Sequence, residues 1–599
     1  MKHISYLLLV GLFVIQLPAC RTPSGLARGL DINGNLFRIK PAGSAHPSSV
    51  NTPGYSYASI SGAKGANVRQ GPGTSHTVIG SLSSGASVKI LSKQRNWYNI
   101  EATINGRSRV GWVYAPLIRV STVAGVPGQA NFPNAKPSQS NIIYLGYTKD
   151  FLPFKQLLAS GELDSLSARI SSASGEQGNS FWKQDDEFLR SIEYGTIMLD
   201  KNETADAIKN YSHAEKVKEE RESSSHLSEL VQSSGGWLGE VFGNGGLEPY
   251  LGEGYEKVLM LNYLSIAHLL DGKRKAYNVA RRSIDWQNIE KKAFDIRTSK
   301  AKEKLREQNA EQSAGVSGSS NSAQRGISSV FEALNSKAKS VPSAFVNPFG
   351  YYVTGMIQEY ESYQDRSLRD NARISYKKAL ELNPSSKVLK QAVKELKRKS
   401  PPSGKRLLHV VVADGFVPEK KVLVHDFYFS GIKIPIKIPI YQPSESKVGR
   451  IEIQTTGGRR LARLSSVANV EALCIRHQKD SEVFRNLRVA LAFTSTAVEK
   501  TFLSQLGSIG TWIGEYHDQY KSPDTRSWMT LPATIQAARI HLSNNISKVR
   551  LVTFSKSGRV LAKKILKLSR NKPNFIYARS MDKTLYARTA KPLWIADAF

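Results

Sequence analysis

The hydrophobic pattern changes its period twice along this 599-residue chain, and those changes limit what it can fold into. Between residues 57 and 122, short β-rich runs alternate with glycine turns: Ala66–Arg69, Thr77–Leu82, Ser87–Leu91, Trp97–Glu101 and Gly111–Tyr114. That spacing specifies a small all-β barrel. Residues 141–400 instead carry apolar residues at helical spacing over long stretches. After a basic, proline-containing hinge at Lys397–Lys405, period-two runs return at Leu407–Val412, Lys421–Ser430, Gly431–Ile440, Lys548–Phe554, Val560–Leu568 and Asn574–Arg579. Pro435 and Pro439 place one of these strands at a sheet edge, because proline cannot donate to a ladder. A helical interlude is expected across Ser481–Lys500 and on toward Tyr520. The chain therefore reads as multidomain: a small β barrel, an α-helical domain at 141–400, and a sandwich-like α+β domain at 405–599. Its length can hold several cores.

Two stretches rich in Ser, Gly, Pro and Asn separate these parts. Residues 20–56 read as a flexible tether, and residues 123–140, with Pro127, Pro133 and Pro137, read as a linker. Ahead of the tether, Met1-Lys2-His3 supplies positive charge and Tyr6–Leu17 is apolar, too short a run to span a bilayer. Residues 1–19 thus read as an export signal. Its end, Leu17-Pro18-Ala19-Cys20, resembles the bacterial lipobox, with Pro18 as a departure. The resemblance implies that Cys20 is acylated and that membrane lipid is one partner. Arg21 follows where an inner-membrane retention signal would place Asp, so the expectation is an outer-membrane lipoprotein of the cell envelope facing the periplasm. The alternative is an ordinary signal peptide whose cysteine pairs elsewhere. Cys474 is the other cysteine, set in the apolar stretch Val470–Ile475, and is expected as a buried thiol outside any disulfide.

The net charge of +33 favours anionic partners such as lipid head groups, lipopolysaccharide or cell-wall polymers. Export argues against nucleic acid. An ordinary basic surface would give the same excess. Residues 405–599 hold 32 Lys and Arg against 14 Asp and Glu.

Within 57–122, the motifs Asn67-Val68-Arg69-Gln70-Gly71-Pro72-Gly73-Thr74-Ser75, Val78-Ile79-Gly80, Gly85, Trp97-Tyr98 and Gly111-Trp112-Val113 occur in one order. Together they resemble the bacterial SH3-like domain. The resemblance implies a binding module for cell-wall peptidoglycan or proline-containing peptides, with Trp97 and Trp112 packing its core and lining its groove. Arg69, Tyr98 and Tyr114 are the further candidates for ligand contact, weighed against ordinary surface or core roles. The segment holds eight Lys and Arg against the single acid Glu101, a balance that suits an anionic ligand.

The helical region repeats a pattern of small and aromatic residues. Ala207, Tyr211 and Ala214 form one copy, with Gly195 twelve residues ahead of the first. Ala276, Ala280 and Ser283 form a second, and Ala372, Tyr376 and Ala379, followed by Pro384, a third. Small residues at such positions let paired helices approach closely, as in a tetratricopeptide-type unit. The copies are not evenly spaced, so insertions are expected at the Gly-rich stretch Gly235–Gly254 and at a Ser/Gly loop from Ser313 to Gly326. Tyr250–Leu259, Asn347-Pro348-Phe349 with Ala372–Pro384, and Asp524–Trp528 with Leu531-Pro532 resemble an uncharacterised family of bacterial lipoproteins with tetratricopeptide-type repeats. The resemblance covers most of 180–545 and implies an outer-membrane or periplasmic location and little else, while a protein partner for the repeats is what a scaffold role would require.

No His-Glu-x-x-His, Gly-x-Ser-x-Gly or Gly-x4-Gly-Lys-Ser/Thr motif occurs, so no catalytic residue, metal or cofactor is assigned. Two clusters are candidates for chemistry. Cys474 and His477, read on a strand, would point to opposite faces and could not form a nucleophile–base pair. Asp524, Arg526 and Trp528 follow Pro523 in a loop, where a carboxylate and a guanidinium pair or cap more often than they react. The favoured expectation is a tethered, non-enzymatic scaffold. The alternative is an envelope hydrolase or hydrolase activator delivered by the SH3-like module.

Overall fold

The structure, a computed structural model, describes residues 28–30, 36–38, 56–120, 139–169, 186–223, 250–311, 314–490 and 523–595, with short breaks at 63–64, 85, 105–106, 167–168, 251, 399, 401, 430–431 and 444–445. The expected export signal, Cys20, most of the expected tether, the expected linker to residue 138 and residues 235–249 of the Gly-rich stretch lie outside the described residues. The chain divides into two compact units, Met1–Asn131 and Phe132–Phe599.

Apart from a three-residue hairpin pairing Arg28–Leu30 with Leu36–Arg38, the first unit is a seven-stranded antiparallel sheet. Its strands are β1 (Ser56–Ile60), β2 (Ala66–Arg69), β3 (Val78–Leu82), β4 (Ser87–Gln94), β5 (Trp97–Ile104), β6 (Arg107–Tyr114) and β7 (Ile118–Val120), in the order β3-β2-β6-β5-β4-β1-β7. Strand alternation puts Ile100, Ala102 and Ile104 of β5 into one core with Val68, Val88, Ile90 and Val113. Gly111 is required by that packing: a methyl group there would sit 2.5 Å from Val68 Cγ1.

The second unit opens on a strand, β8 (Gln139–Ile143), at the end of the expected linker. Helices α1 (Gly146–Ser160), α2 (Glu187–Asp200), α3 (Thr204–Ser223), α4 (Gly254–Leu270), α5 (Lys275–Glu311), α6 (Ala314–Glu332), α7 (Pro348–Glu361), α8 (Leu368–Leu382) and α9 (Lys387–Glu395) follow. α2–α3, α4–α5 and α7–α8 are packed pairs joined by short turns. The recurring small residues lie inside them: Ala207, Ala214, Ala276, Ala280, Ser283, Ala372 and Ala379 are all fully buried. A methyl group on Gly195 would lie 2.7 Å from the Tyr211 ring, so glycine is what lets α2 reach α3. α4 is central, with all of its residues buried, and it starts at a capping box in which Glu253 and Glu256 exchange side-chain and backbone hydrogen bonds.

Among the described residues, eleven more strands follow in the unit, with helix α10 and a shorter helical stretch between them: β9 (Lys405–Asp414), β10 (Lys420–Phe429), β11 (Ile432–Tyr441), β12 (Val448–Gln454), β13 (Arg460–Arg463), β14 (Ser465–Asn469), α10 (Val470–Asp480), β15 (Thr534–Ser543), β16 (Lys548–Ser555), β17 (Val560–Lys567), β18 (Asn574–Met581) and, last, β19 (Thr584–Thr589). They form a three-stranded sheet β8-β10-β11, a five-stranded sheet β14-β15-β9-β18-β19 and a four-stranded sheet β13-β12-β16-β17. β11, with Pro435 and Pro439, is an edge strand.

β9 explains the layering. Leu408, Val410 and Val412 pack with Ile451, Ile453, Val549 and Leu551 of the four-stranded sheet. The alternate residues Leu407, Val411 and Ala413 join the core built by the helices. β15 and β18 divide in the same way, Ala537 and Tyr577 toward the helices, Ala538 and Ile576 toward the other sheet. The five-stranded sheet is thus sandwiched between a helical layer and a second sheet. Residues 141–400 and 405–599, expected as separate domains, share this core within one compact unit.

Two local expectations change. Residues 314–326 of the Ser/Gly stretch are the first part of α6, not a loop, because Ala323, Ile327 and Phe331 recur at helical spacing and cover Leu423, Ile436 and Ile438 of the three-stranded sheet. Cys474 and His477 lie on a helix, α10, not on a strand. It begins earlier than the expected interlude because the Asn469 side chain caps it by accepting from Ala472 N. A further helix spans 482–490, and residues 491–522 lie outside the described residues.

Candidate functional site

Strand register decides which candidate residues of the first unit meet. Because Tyr98, Ile100, Ala102 and Ile104 point toward the core, Trp97 and Asn99 point away from it. Trp97 is paired with Tyr114, Asn99 with Trp112, and Trp112 in turn with Arg69 of β2. Directly paired residues share a face. Arg69, Trp112 and Asn99 therefore make one outward row and Trp97 with Tyr114 the next. The rings of Trp97 and Tyr114 lie 5.4 Å apart at 56°, a favourable tilted contact, and Tyr114 is 41 % exposed. Trp97 and Trp112, expected in part as core, are half-buried on this outer face.

Two candidates behave differently. Tyr98 turns to the other side, packing against the core with Lys93 Nζ 5.1 Å from its ring centroid, so it is not brought together with the other four. Arg69 is partly committed: its Nη1 donates to the carbonyls of Thr74 (2.9 Å) and His76 (2.8 Å), closing the loop after β2. Asn99 carries no signal in the sequence. Its Oδ1 is buried without a hydrogen-bond partner beside Trp112. Lys93, Arg95 and Arg109 are exposed on the same unit.

In the second unit Arg526 and Trp528 of one cluster weighed for chemistry, and Cys474 and His477 of the other, are buried. Arg526 donates from Nε to both oxygens of Asp524 (3.0 and 3.1 Å) and from Nη1 to Asp186 (2.6 Å). Trp528 is fully buried, its Nε1 donating to Thr196 and Thr530 (3.0 Å each) and its backbone N–H to Glu256 (2.9 Å). Glu193 accepts from the backbone N–H groups of Met529 (2.5 Å) and Thr530 (3.1 Å). This loop is pinned to α2 and α4, and burial pushes the Glu193 carboxyl up to about 8. Cys474 is fully buried and desolvation pushes its thiol far up, opposite to the shift a nucleophile needs. His477 Nε2 lies 2.9 Å from Glu253.

Sequence reasoning also missed a charged cluster between helices and sheet. Arg539 of β15 donates from Nε to both oxygens of Glu359 on α7 (3.0 and 2.8 Å), and its Nη1 pairs with Glu395 of α9. Among the described residues no group of His, Cys, Asp and Glu is arranged to hold a metal ion, and no helix is long and apolar enough to cross a membrane.

Residues 64–119 match the family described as Bacterial SH3 domain, so the seven-stranded unit is a domain of that class. Comparison with curated proteins and with solved structures found no match.

Proposed function

We propose that this chain is a non-enzymatic binding and scaffold protein of the bacterial envelope, anchored by lipid at Cys20 and gripping the cell wall, or a wall-bound partner, through its SH3 domain. The observation that carries the reading is the match of residues 64–119 to bacterial SH3 domains together with the outward rows of Arg69, Trp112, Asn99, Trp97 and Tyr114. Half-buried aromatic rings beside a cation suit a polymer that carries sugars and carboxylates. The three helix pairs closed by buried small residues support the tetratricopeptide-type reading, with the helical layer as the seat of a protein partner. The export signal and Arg21 support the outer membrane as its location.

The test is cosedimentation of the purified chain with peptidoglycan sacculi. Trp112→Ala removes the central ring of the outward face and should lower retention at least tenfold, as loss of a buried aromatic anchor does. Tyr98→Phe, on the other side, should retain wild-type binding. No retention of the intact chain on sacculi would reject wall binding.

A further inference from the structure

We propose that the outer face of the four-stranded sheet β13-β12-β16-β17 docks on an anionic lipid surface. Its inner face is filled by Ile451, Ile453, Val549 and Leu551. The residues that alternate with these, together with their paired neighbours, define the opposite face. Across β12 and β13, Glu452 pairs with Arg463 and Gln454 with Arg460. Across β12 and β16, Arg450 pairs with Phe554 and Gln454 with Arg550. Across β16 and β17, Lys548 pairs with Lys567, Arg550 with Ile565, Val552 with Lys563 and Phe554 with Val560.

That face carries seven cations against the single acid Glu452. The carboxylate is already shared, accepting from Arg450 at 3.2 Å with Arg460 3.7 Å away. Among the described residues Arg463, Lys548, Lys563 and Lys567 are exposed, and no acidic side chain lies within ion-pair distance of them. Among these cations stand two aliphatic side chains that folding leaves uncovered, Val560 at 56 % and Ile565 at 57 % exposed.

Charge and apolarity together select the occupant. Three strands of seven or eight residues and one of four span roughly 15 Å by 25 Å, room for several lipid head groups. Lysine and arginine meet anionic head groups while adjacent aliphatic tips reach the acyl boundary, the arrangement of interfacial membrane binders. Single-stranded nucleic acid would call for exposed aromatic platforms. The face offers none: Phe554 is buried, with the Arg450 guanidinium 4.0 Å over its ring.

The experiment is vesicle sedimentation with the chain from Arg21 onward, so that neither the apolar run nor an acyl group contributes. Vesicles of phosphatidylcholine alone are compared with vesicles containing phosphatidylglycerol. The chain should bind the phosphatidylglycerol vesicles and leave them as salt rises. Each basic residue near an anionic bilayer multiplies affinity about fivefold, so Arg463→Gln with Lys563→Gln should weaken binding about 25-fold. Ile565→Ser should weaken it further with the salt dependence unchanged. All three positions are exposed, and unchanged thermal melting verifies folding. Equal binding to phosphatidylcholine, or wild-type binding by the double variant, overturns the proposal. So does a wild-type chain that ignores vesicles and binds duplex DNA through Arg463 and Lys563.

Discussion

Removing the Glu359 carboxylate should reveal how strongly the helical layer is bound to the sheet. Arg539 is fully buried on β15. Glu359 on α7, also fully buried, meets it through both oxygens and accepts in addition from Tyr376 (3.1 Å), with His409 Nε2 3.3 Å away. Burial alone would raise the Glu359 carboxyl, yet Arg539 and His409 hold it well below the usual carboxylate range, so the pair is ionised. Glu359→Ala strands a buried guanidinium with Glu395 as its remaining acidic partner, a loss of about 3–5 kcal/mol. A unit of this length unfolds with an entropy near 1 kcal/mol per kelvin, so the melting temperature should fall by roughly 3–5 °C. Replacing both partners, Glu359→Leu with Arg539→Leu, removes the uncompensated charge and should melt above either single variant. The pH dependence gives a second reading. A depressed folded-state value means stability that is present above the unfolded value of 4.5 and lost as pH falls, and the double variant should lack that acid loss. Calorimetry of the wild type, Glu359→Ala, the two leucine singles and their double variant decides the matter. A double variant no more stable than the sum of its singles, or a Glu359→Ala chain that melts with wild type, refutes the reasoning.

Two further outcomes follow from buried contacts. Glu193 has the opposite sign: with its folded value raised from 4.5 to about 8, its contribution is full below 4.5 and is lost as pH rises through 8, and Glu193→Gln should flatten a stability–pH curve across that window by about one proton. Gly195→Ala would press a methyl group into the Tyr211 ring, which is backed by Trp528 at 6.1 Å between centroids, and should cost about 1–3 kcal/mol in thermal melting. Gly457→Ala, whose new methyl meets nothing nearer than Thr455 Oγ1 at 4.0 Å, is the matched control and should stay within about 0.5 kcal/mol of wild type.

The SH3 domain was legible because its determinants are local. Glycine turns, period-two alternation and two tryptophans sit within some sixty residues, and each reports on its own strand. The helix pairs were legible for a related reason: Gly195, Ala207, Tyr211 and Ala214 are close in sequence and one contact explains them all. The shared core was not. Leu407–Ala413 reads as a strand, but nothing within it says that one covering layer is made of helices encoded before it. Glu359 and Arg539 are separated by 180 positions, and a charged residue in a chain with this many reads as surface until the fold removes the water around it.

The two local misreadings have a common origin. In Ser313–Gly326 composition points to a loop and outweighs spacing, although the Ala323, Ile327 and Phe331 periodicity crosses the end of that stretch and buries against β10 and β11. Around Cys474 a short apolar run fits strand and helix alike, and the deciding signal lies just ahead of it, in Asn469 with its side-chain oxygen on the N–H of Ala472. Face assignment in the SH3 domain follows the same logic. Alternation alone separates Trp97 from Tyr98, adjacent in sequence and so on opposite sides of β5. Only register, which depends on the length of each turn, brings Arg69 beside Trp112 and Asn99. A one-residue slip of β6 would send Trp112 into the core and Val113 to the surface, and the outward aromatic rows on which the proposed wall binding rests would no longer exist.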